Sequence, residues 1–190
     1  MKNFAVMFVL ASAFLMFAAT LAEAANPKVL MKTSKGDITI ELYADKAPIT
    51  VKNILAYVDA KFYDATIFHR VIKGFMIQGG GYTADLKEKA SKPAIKNEAG
   101  NGLKNLRGTL AMARTPDIDG ATNQFFINLV NNAFLDHRDN TAAGFGYCVF
   151  GMVTSGMEVV DAIANSPTGV SHGMGDVPRE TITILSVRRL

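Results

Sequence analysis

The chain has 190 residues, 49% hydrophobic and 19% charged, with 16 Gly, one Cys and a net charge of +3. This balance suits one globular unit and excludes a disordered, collagen-like or coiled-coil chain. The cations are dispersed: Lys87-Glu88-Lys89 is mixed in sign and Arg188-Arg189 is short, so no basic stripe interleaved with aromatics marks a nucleic-acid partner.

Lys2 precedes an uncharged run from Phe4 to Leu21 that ends in Ala22-Glu23-Ala24, a small-x-small cleavage pattern. Residues 1–24 therefore read as a secretory signal peptide. The run approaches bilayer-spanning length, and an uncleaved anchor is the alternative; the absence of a cationic flank after it favours cleavage. A lipid anchor would need a cysteine at the cut, and the only one is Cys148. No later segment is apolar enough to span a membrane. Residues 25–190 read as one exported domain without an internal disulfide.

Val29–Thr33 and Ile38–Leu42, joined by Ser34-Lys35-Gly36-Asp37, give a hairpin signal, with Ile38, Ile40 and Leu42 on one face. Pro48 opens a helix whose Val51, Ile54, Leu55 and Val58 form one apolar stripe. Thr66–Arg70 and Phe75–Gln78 are strand-like and broken at Lys73-Gly74. The stretch from Gly79 to Asn105, rich in Gly, Lys and Asn, reads as a long loop, of the kind that is often functional. Strand character returns at Thr109–Ala113, Gln124–Ile127 and Cys148–Val153, where Cys148 reads as a small core residue. Met157, Val160 and Ile163 predict a second short helix, and Thr181–Leu185 a closing strand. Many short strands with two helices predict a mainly β fold, a closed or nearly closed antiparallel barrel.

His69, His137 and His172 are too far apart to form a local metal motif, and no Ser-centred nucleophile elbow is present. A hydrolase would need a base-activated nucleophile that these residues do not display. The run Phe68-His69-Arg70-Val71-Ile72-Lys73-Gly74-Phe75-Met76-Ile77-Gln78-Gly79-Gly80 resembles the cyclophilins, prolyl cis–trans isomerases. The likeness continues at Gly108–Arg114, Asn123–Ile127 and Phe134-Leu135-Asp136, and spans about Val29 to Val187. With the leader and Lys96-Asn97-Glu98-Ala99 it is nearest the secreted bacterial branch, which implies a periplasmic location.

The resemblance implies a closed eight-stranded antiparallel barrel capped by two α-helices, working as a monomer without metal or cofactor. Its partners would be proline-containing peptides and unfolded secreted proteins. It implies that Arg70 is catalytic and that Gln78 steadies it and meets the substrate carbonyl. Phe75, Met76, Phe126 and Leu135 match the proline pocket, and Phe125, pointing the other way, the core. Ala113 and Arg114 would hold an extended peptide by their backbone, with the amide of Gln124, and His69 would support Arg70. Phe134 stands where many eukaryotic cyclophilins carry tryptophan and Tyr147 where they carry histidine; both keep an aromatic wall, and with the indole donor lost cyclosporin binding should be weak. Arg114 replaces a small neutral residue and adds positive charge at the rim. The rival reading is a prolyl-peptide-binding chaperone module with incidental catalysis.

Overall fold

The computed structural model describes residues 25–190; the expected leader, residues 1–24, lies outside them. β1 (Lys28–Thr33) and β2 (Gly36–Leu42) form the expected hairpin, in register from Lys28↔Glu41 to Thr33↔Gly36. Helix α1 (Pro48–Asp59) begins at the proline and buries Val51, Ile54, Leu55 and Val58. Each of these contributes roughly 1.5–3 kcal/mol relative to exposure. β3 (Thr66–Ile72) and β4 (Met76–Thr83) follow, then β5 (Thr109–Met112), β6 (Phe125–Asn128) and β7 (Val149–Ser155). After α2 (Met157–Ala164) come β8 (Thr168–Ser171), β9 (Met174–Pro178) and β10 (Thr183–Arg189). No helix among the described residues is long and apolar enough to cross a membrane.

Eight strands close into an antiparallel barrel in the order β1-β10-β3-β4-β6-β5-β7-β2. Strand alternation divides its apolar residues between two separate clusters. Ile38, Ile40, Leu42, Ile77, Leu110, Met112, Phe125, Ile127 and Phe150 fill the interior. The stripes of α1 and α2 join this cluster. Because strand backbones wall the core on its flank, a helix can reach it only at a mouth of the barrel, so the helices act as stoppers. A second cluster of Met76, Ala111, Phe126, Leu135 and Val149 lies on the outer wall.

Two expectations need correction. β4 runs on through Gly79, Gly80 and Gly81 to Thr83, so the expected loop from Gly79 starts later. Glycine lowers strand propensity, yet these residues have no room for side chains: a Cβ at Gly80 would sit about 2.8 Å from Phe125 and 2.9 Å from Tyr63. The closing strand is displaced, beginning at Thr183 and reaching Arg189, while the hairpin of β8 and β9 was not anticipated. Its chain reverses at His172 and Gly173, both with positive φ.

Candidate active site

One row of residues crosses the outer wall in register: Arg70 on β3, Gln78 on β4, Phe126 on β6, Ala111 on β5 and Val149 on β7. Arg70 reaches this face through a β-bulge. Phe68 pairs with Gly79 and Arg70 with Gln78, so His69 is an extra residue on β3. Phe68 and Val71 consequently both face the interior although three apart, and Arg70 turns outward beside Gln78. The row dips at Ala111, whose methyl is small, between the larger Phe126 and Val149.

Beside the Arg70, Gln78 and Phe126 end of this row lies a cavity of about 140 Å³ lined by Arg70, Phe75, Met76, Gln78, Ala113, Arg114, Phe126, Leu135 and Tyr147. It is smaller than the roughly 300–1,000 Å³ of drug-sized pockets, and suits one small apolar ring with polar groups along a single edge. The expected residues Arg70, Phe75, Met76, Gln78, Ala113, Arg114, Phe126, Leu135 and Tyr147 are thus brought together.

The far wall is built by two loops clasped backbone to backbone. Gly146 has φ +76°, and a Cβ there would lie about 2.7 Å from the backbone of Leu135 and Asp136. The close approach lets Tyr147 N donate to the Leu135 carbonyl at 2.9 Å, setting both side chains into the wall. The Tyr147 ring meets Phe126 edge-on at 5.7 Å. A buried amide network fixes the remaining wall. Asn132 Nδ2 donates to the Phe75 carbonyl (3.0 Å) and Asn128 Oδ1 (2.7 Å), and Asn128 Nδ2 donates to Asn105 Oδ1 (3.2 Å) and Thr109 Oγ1 (2.9 Å). Sequence reasoning missed these asparagines, because nothing local separates a buried loop amide from a solvated one.

The polar edge carries its own constraints. Arg70 Nε lies 3.8 Å from Asp176 Oδ2 on β9, a half-exposed pair worth about 0–1 kcal/mol, so its effect is on orientation. Asp176 was also missed, the pairing being long-range. Gln78 Nε2 donates to Gln124 Oε1 at 3.0 Å, and Gln124 Nε2 to Glu88 Oε1 at 3.3 Å. Gln124 is therefore next to Gln78 and lines an adjoining hollow of about 400 Å³. Its carbonyl accepts from Ala113 N at 3.0 Å, so the backbone group Ala113 has left for a peptide is its carbonyl.

Three expected residues differ from their anticipated setting. His69 is buried against Tyr82, with ring centroids 4.5 Å apart, and does not line the cavity. Burial, and secondarily the Arg70 charge, lowers its pKa from the ordinary 6.5 to about 4. Phe134 is exposed and stacks on Phe75 at 5.6 Å. It lines a third hollow, of about 480 Å³, rather than the 140 Å³ cavity. Arg114 is less a rim charge than a clasp: its guanidinium donates to the carbonyls of Gly146, Thr115, Pro116, Asp117 and Ala142 at 3.1–3.3 Å. It lies 4.9 Å from the Tyr147 ring centroid. Cys148, as expected, is buried, and burial pushes its thiol up to about 11.

Residues 28–189 match the family model described as cyclophilin type peptidyl-prolyl cis-trans isomerase/CLD. The chain is 57% identical to peptidyl-prolyl cis-trans isomerase B of Escherichia coli over 84% of this chain and 97% of that one. It is 51% identical to peptidyl-prolyl cis-trans isomerase A of Dickeya dadantii over 90% of this chain and 89% of that one. Among solved structures, a Cryptosporidium parvum cyclophilin type peptidyl-prolyl cis-trans isomerase superposes with TM-score 0.71 at 27% identity, covering 87% of this chain and 98% of that one. The same parasite protein has been solved in the presence of the dipeptide Ala-Pro, with TM-score 0.69 at 28% identity over 85% and 97% of the two chains. Barrel, outer-wall site and relatives agree: the chain belongs to the cyclophilin-type peptidyl-prolyl cis-trans isomerases, and it is an isomerase of their bacterial branch.

Proposed function

We propose that the 140 Å³ cavity seats the ring of a prolyl residue and that Arg70 and Gln78 perform the isomerisation. The observation that carries this reading is the register of Arg70 against Gln78 beside a small hollow whose apolar lining comes from Phe75, Met76, Phe126 and Leu135. An X–Pro amide has partial double-bond character and a rotation barrier of roughly 18–20 kcal/mol. No covalent bond forms or breaks, so the enzyme needs only to bind the twisted amide better than either planar isomer. In the twisted amide the prolyl nitrogen regains a lone pair, and a guanidinium donating to it stabilises that state selectively. A rate gain of roughly 10⁴-fold asks for about 5.5 kcal/mol, which a charge-assisted bond together with positioning can supply. Phe126, Met76 and Leu135 grip the ring, while Gln78 and the Ala113 carbonyl hold the peptide on either side of it.

Proline-containing segments of unfolded exported proteins are the substrates in this reading, and the periplasm is the compartment. Support for the location comes from the Ala22-Glu23-Ala24 pattern after the apolar run. Mass spectrometry of the protein recovered from a periplasmic fraction is expected to find Ala25 as the first residue. Recovery only from membranes, with the leader intact, would replace export by anchoring.

Protease-coupled isomerisation of a neutral X-Pro peptide tests the chemistry. Arg70→Ala should lower kcat/KM by roughly 10²-fold or more with peptide affinity little changed, because the lost bond belongs to the twisted state. Arg70→Lys should recover only part, since an ammonium lacks the planar fork. Parent-like rates in a folded Arg70→Ala protein would leave a peptide-binding module in place of this assignment.

A further inference from the structure

We propose that Glu88, outside the cavity, is a positioning residue that fixes which way round the Gln78 amide is held. The proposal rests on the Arg70–Gln78 reading above. Glu88 Oε1 accepts from Gln124 Nε2 at 3.3 Å, and Gln124 Oε1 accepts from Gln78 Nε2 at 3.0 Å. A glutamine amide can be turned either way, but an ionised carboxylate can only accept. Glu88 therefore requires Gln124 to present its NH₂ outward and its oxygen inward, and Gln78 must donate in turn. Gln78 stands between Gln124 on the β6 side and Arg70 on the β3 side. With Nε2 committed toward Gln124, Oε1 is left for the side of the Arg70 guanidinium. The reverse arrangement would oppose donor to donor.

Two further features hold this chain of amides in place. The segment after β4 folds back through Thr83 N to the Lys87 carbonyl (3.0 Å) and Lys89 N to the Gly81 carbonyl (2.9 Å), bridging Glu88 to Tyr82. Gly81 provides the bed for Gln124: a Cβ there would lie about 2.5–2.7 Å from Gln124 Cγ, Cδ and Nε2. The φ of Gly81 is outside the left-handed region, so the space, not the backbone conformation, calls for glycine. Glu88 itself is exposed, and its loss should cost little stability.

The test compares Glu88→Asp, Glu88→Ala and Glu88→Lys in the whole protein on a neutral X-Pro peptide at fixed ionic strength, with thermal melts as a fold control. Lysine is donor-only and turns both amides round. The expected order of kcat is Glu, Asp, Ala, Lys, with Ala roughly 3-fold and Lys roughly 10-fold below the parent and KM within about twofold. Gly81→Ala, which evicts Gln124, should behave as Glu88→Ala. In the Gln78→Ala background Glu88→Lys should change nothing beyond about twofold, because its effect runs through Gln78. The side-chain amide resonances of Gln78 and Gln124 should move together in Glu88→Lys. Parent-like kcat in Glu88→Lys, or an equal loss with Gln78 absent, overturns the orienting role while leaving the Gln78 assignment intact. A fully active Gln78→Ala protein overturns that assignment and this proposal with it.

Discussion

His69 is neutral at physiological pH because the barrel wall strips its water and Arg70 stands next to it. Its pKa is depressed on folding, so between about 6.5 and 4 the unfolded chain takes up a proton that the folded one refuses. Stability from this residue is complete above the upper value and falls as pH drops through that window, by up to about 3 kcal/mol at roughly 1.4 kcal/mol per pH unit. His69→Gln should flatten this part of the profile: urea midpoints of the parent should fall more between pH 7 and 4.5 than those of the variant. Activity should be level from about pH 6 to 8, because His69 is uncharged throughout. A bell-shaped profile abolished by His69→Gln would mean proton transfer instead. Phe134 is a contrasting case, exposed and stacked on Phe75 beside the cavity. Phe134→Trp supplies a donor that phenylalanine lacks. Cyclosporin inhibition should tighten roughly tenfold, for about 1.4 kcal/mol, with turnover of a simple peptide within about threefold. Equal inhibition constants would turn attention to Tyr147.

Among the elements, α1 depends on a residue far away in sequence. Ala47 precedes the helix without a side-chain cap. The Glu98 carboxylate takes its place, accepting from Ile49 N (3.1 Å), Thr50 N (2.8 Å) and Thr50 Oγ1 (2.7 Å). An anion there also suits the positive end of the helix. Glu98→Ala should cost about 1–2 kcal/mol, lowering Tm by roughly 2–4 °C for each of these; an unchanged melt would mean that water caps the helix equally well. No reading of residues 44–50 alone could find this cap. What was legible had local causes: Ile38, Ile40 and Leu42 alternate, and Val51, Ile54, Leu55 and Val58 repeat at helical spacing, because one face of each element meets one core. The glycine run of β4 was illegible as strand, since its reason is the proximity of Phe125, Tyr63 and Gln124 from other elements. β8 and β9 hid because their short, Gly-rich segments carry little apolar alternation. For the site, motif resemblance found the cavity wall, whereas Asp176, Glu88 and the asparagine network act through partners that only the fold brings near.

At the scale of the molecule, closure joins the first described strand to the last. Val29 pairs with Arg189, and β10 then meets β3 through only Thr183↔Ile67 and Ile184↔Thr66. Two forked ion pairs, Arg188 with Asp64 and Arg189 with Asp59, fasten the end of β10 outside this narrow seam. Pairings so distant in sequence place folding in the slow range of β barrels, roughly milliseconds to seconds. Ile184, fully buried at the seam, is the sensitive point. Ile184→Ala should cost about 2–5 kcal/mol in urea unfolding, and Arg70, on the strand that the seam retains, should lose activity only as the fold melts. Loss of activity well before unfolding would mean that the seam opens locally.

The site lies on the outside of the barrel, and Arg114 borders all three of its adjoining hollows. Such a site resembles an open workbench more than a chamber. A polymer can be laid across it lengthwise, from the Gln124 side to the Phe134 side, without a free end having to be threaded in. A proline hundreds of residues from either terminus is then as accessible as one in a tripeptide, and both arms of the chain can remain outside. Since the substrate leaves with every covalent bond it brought, one long chain can be visited repeatedly, at whichever of its prolines is uncovered at that moment.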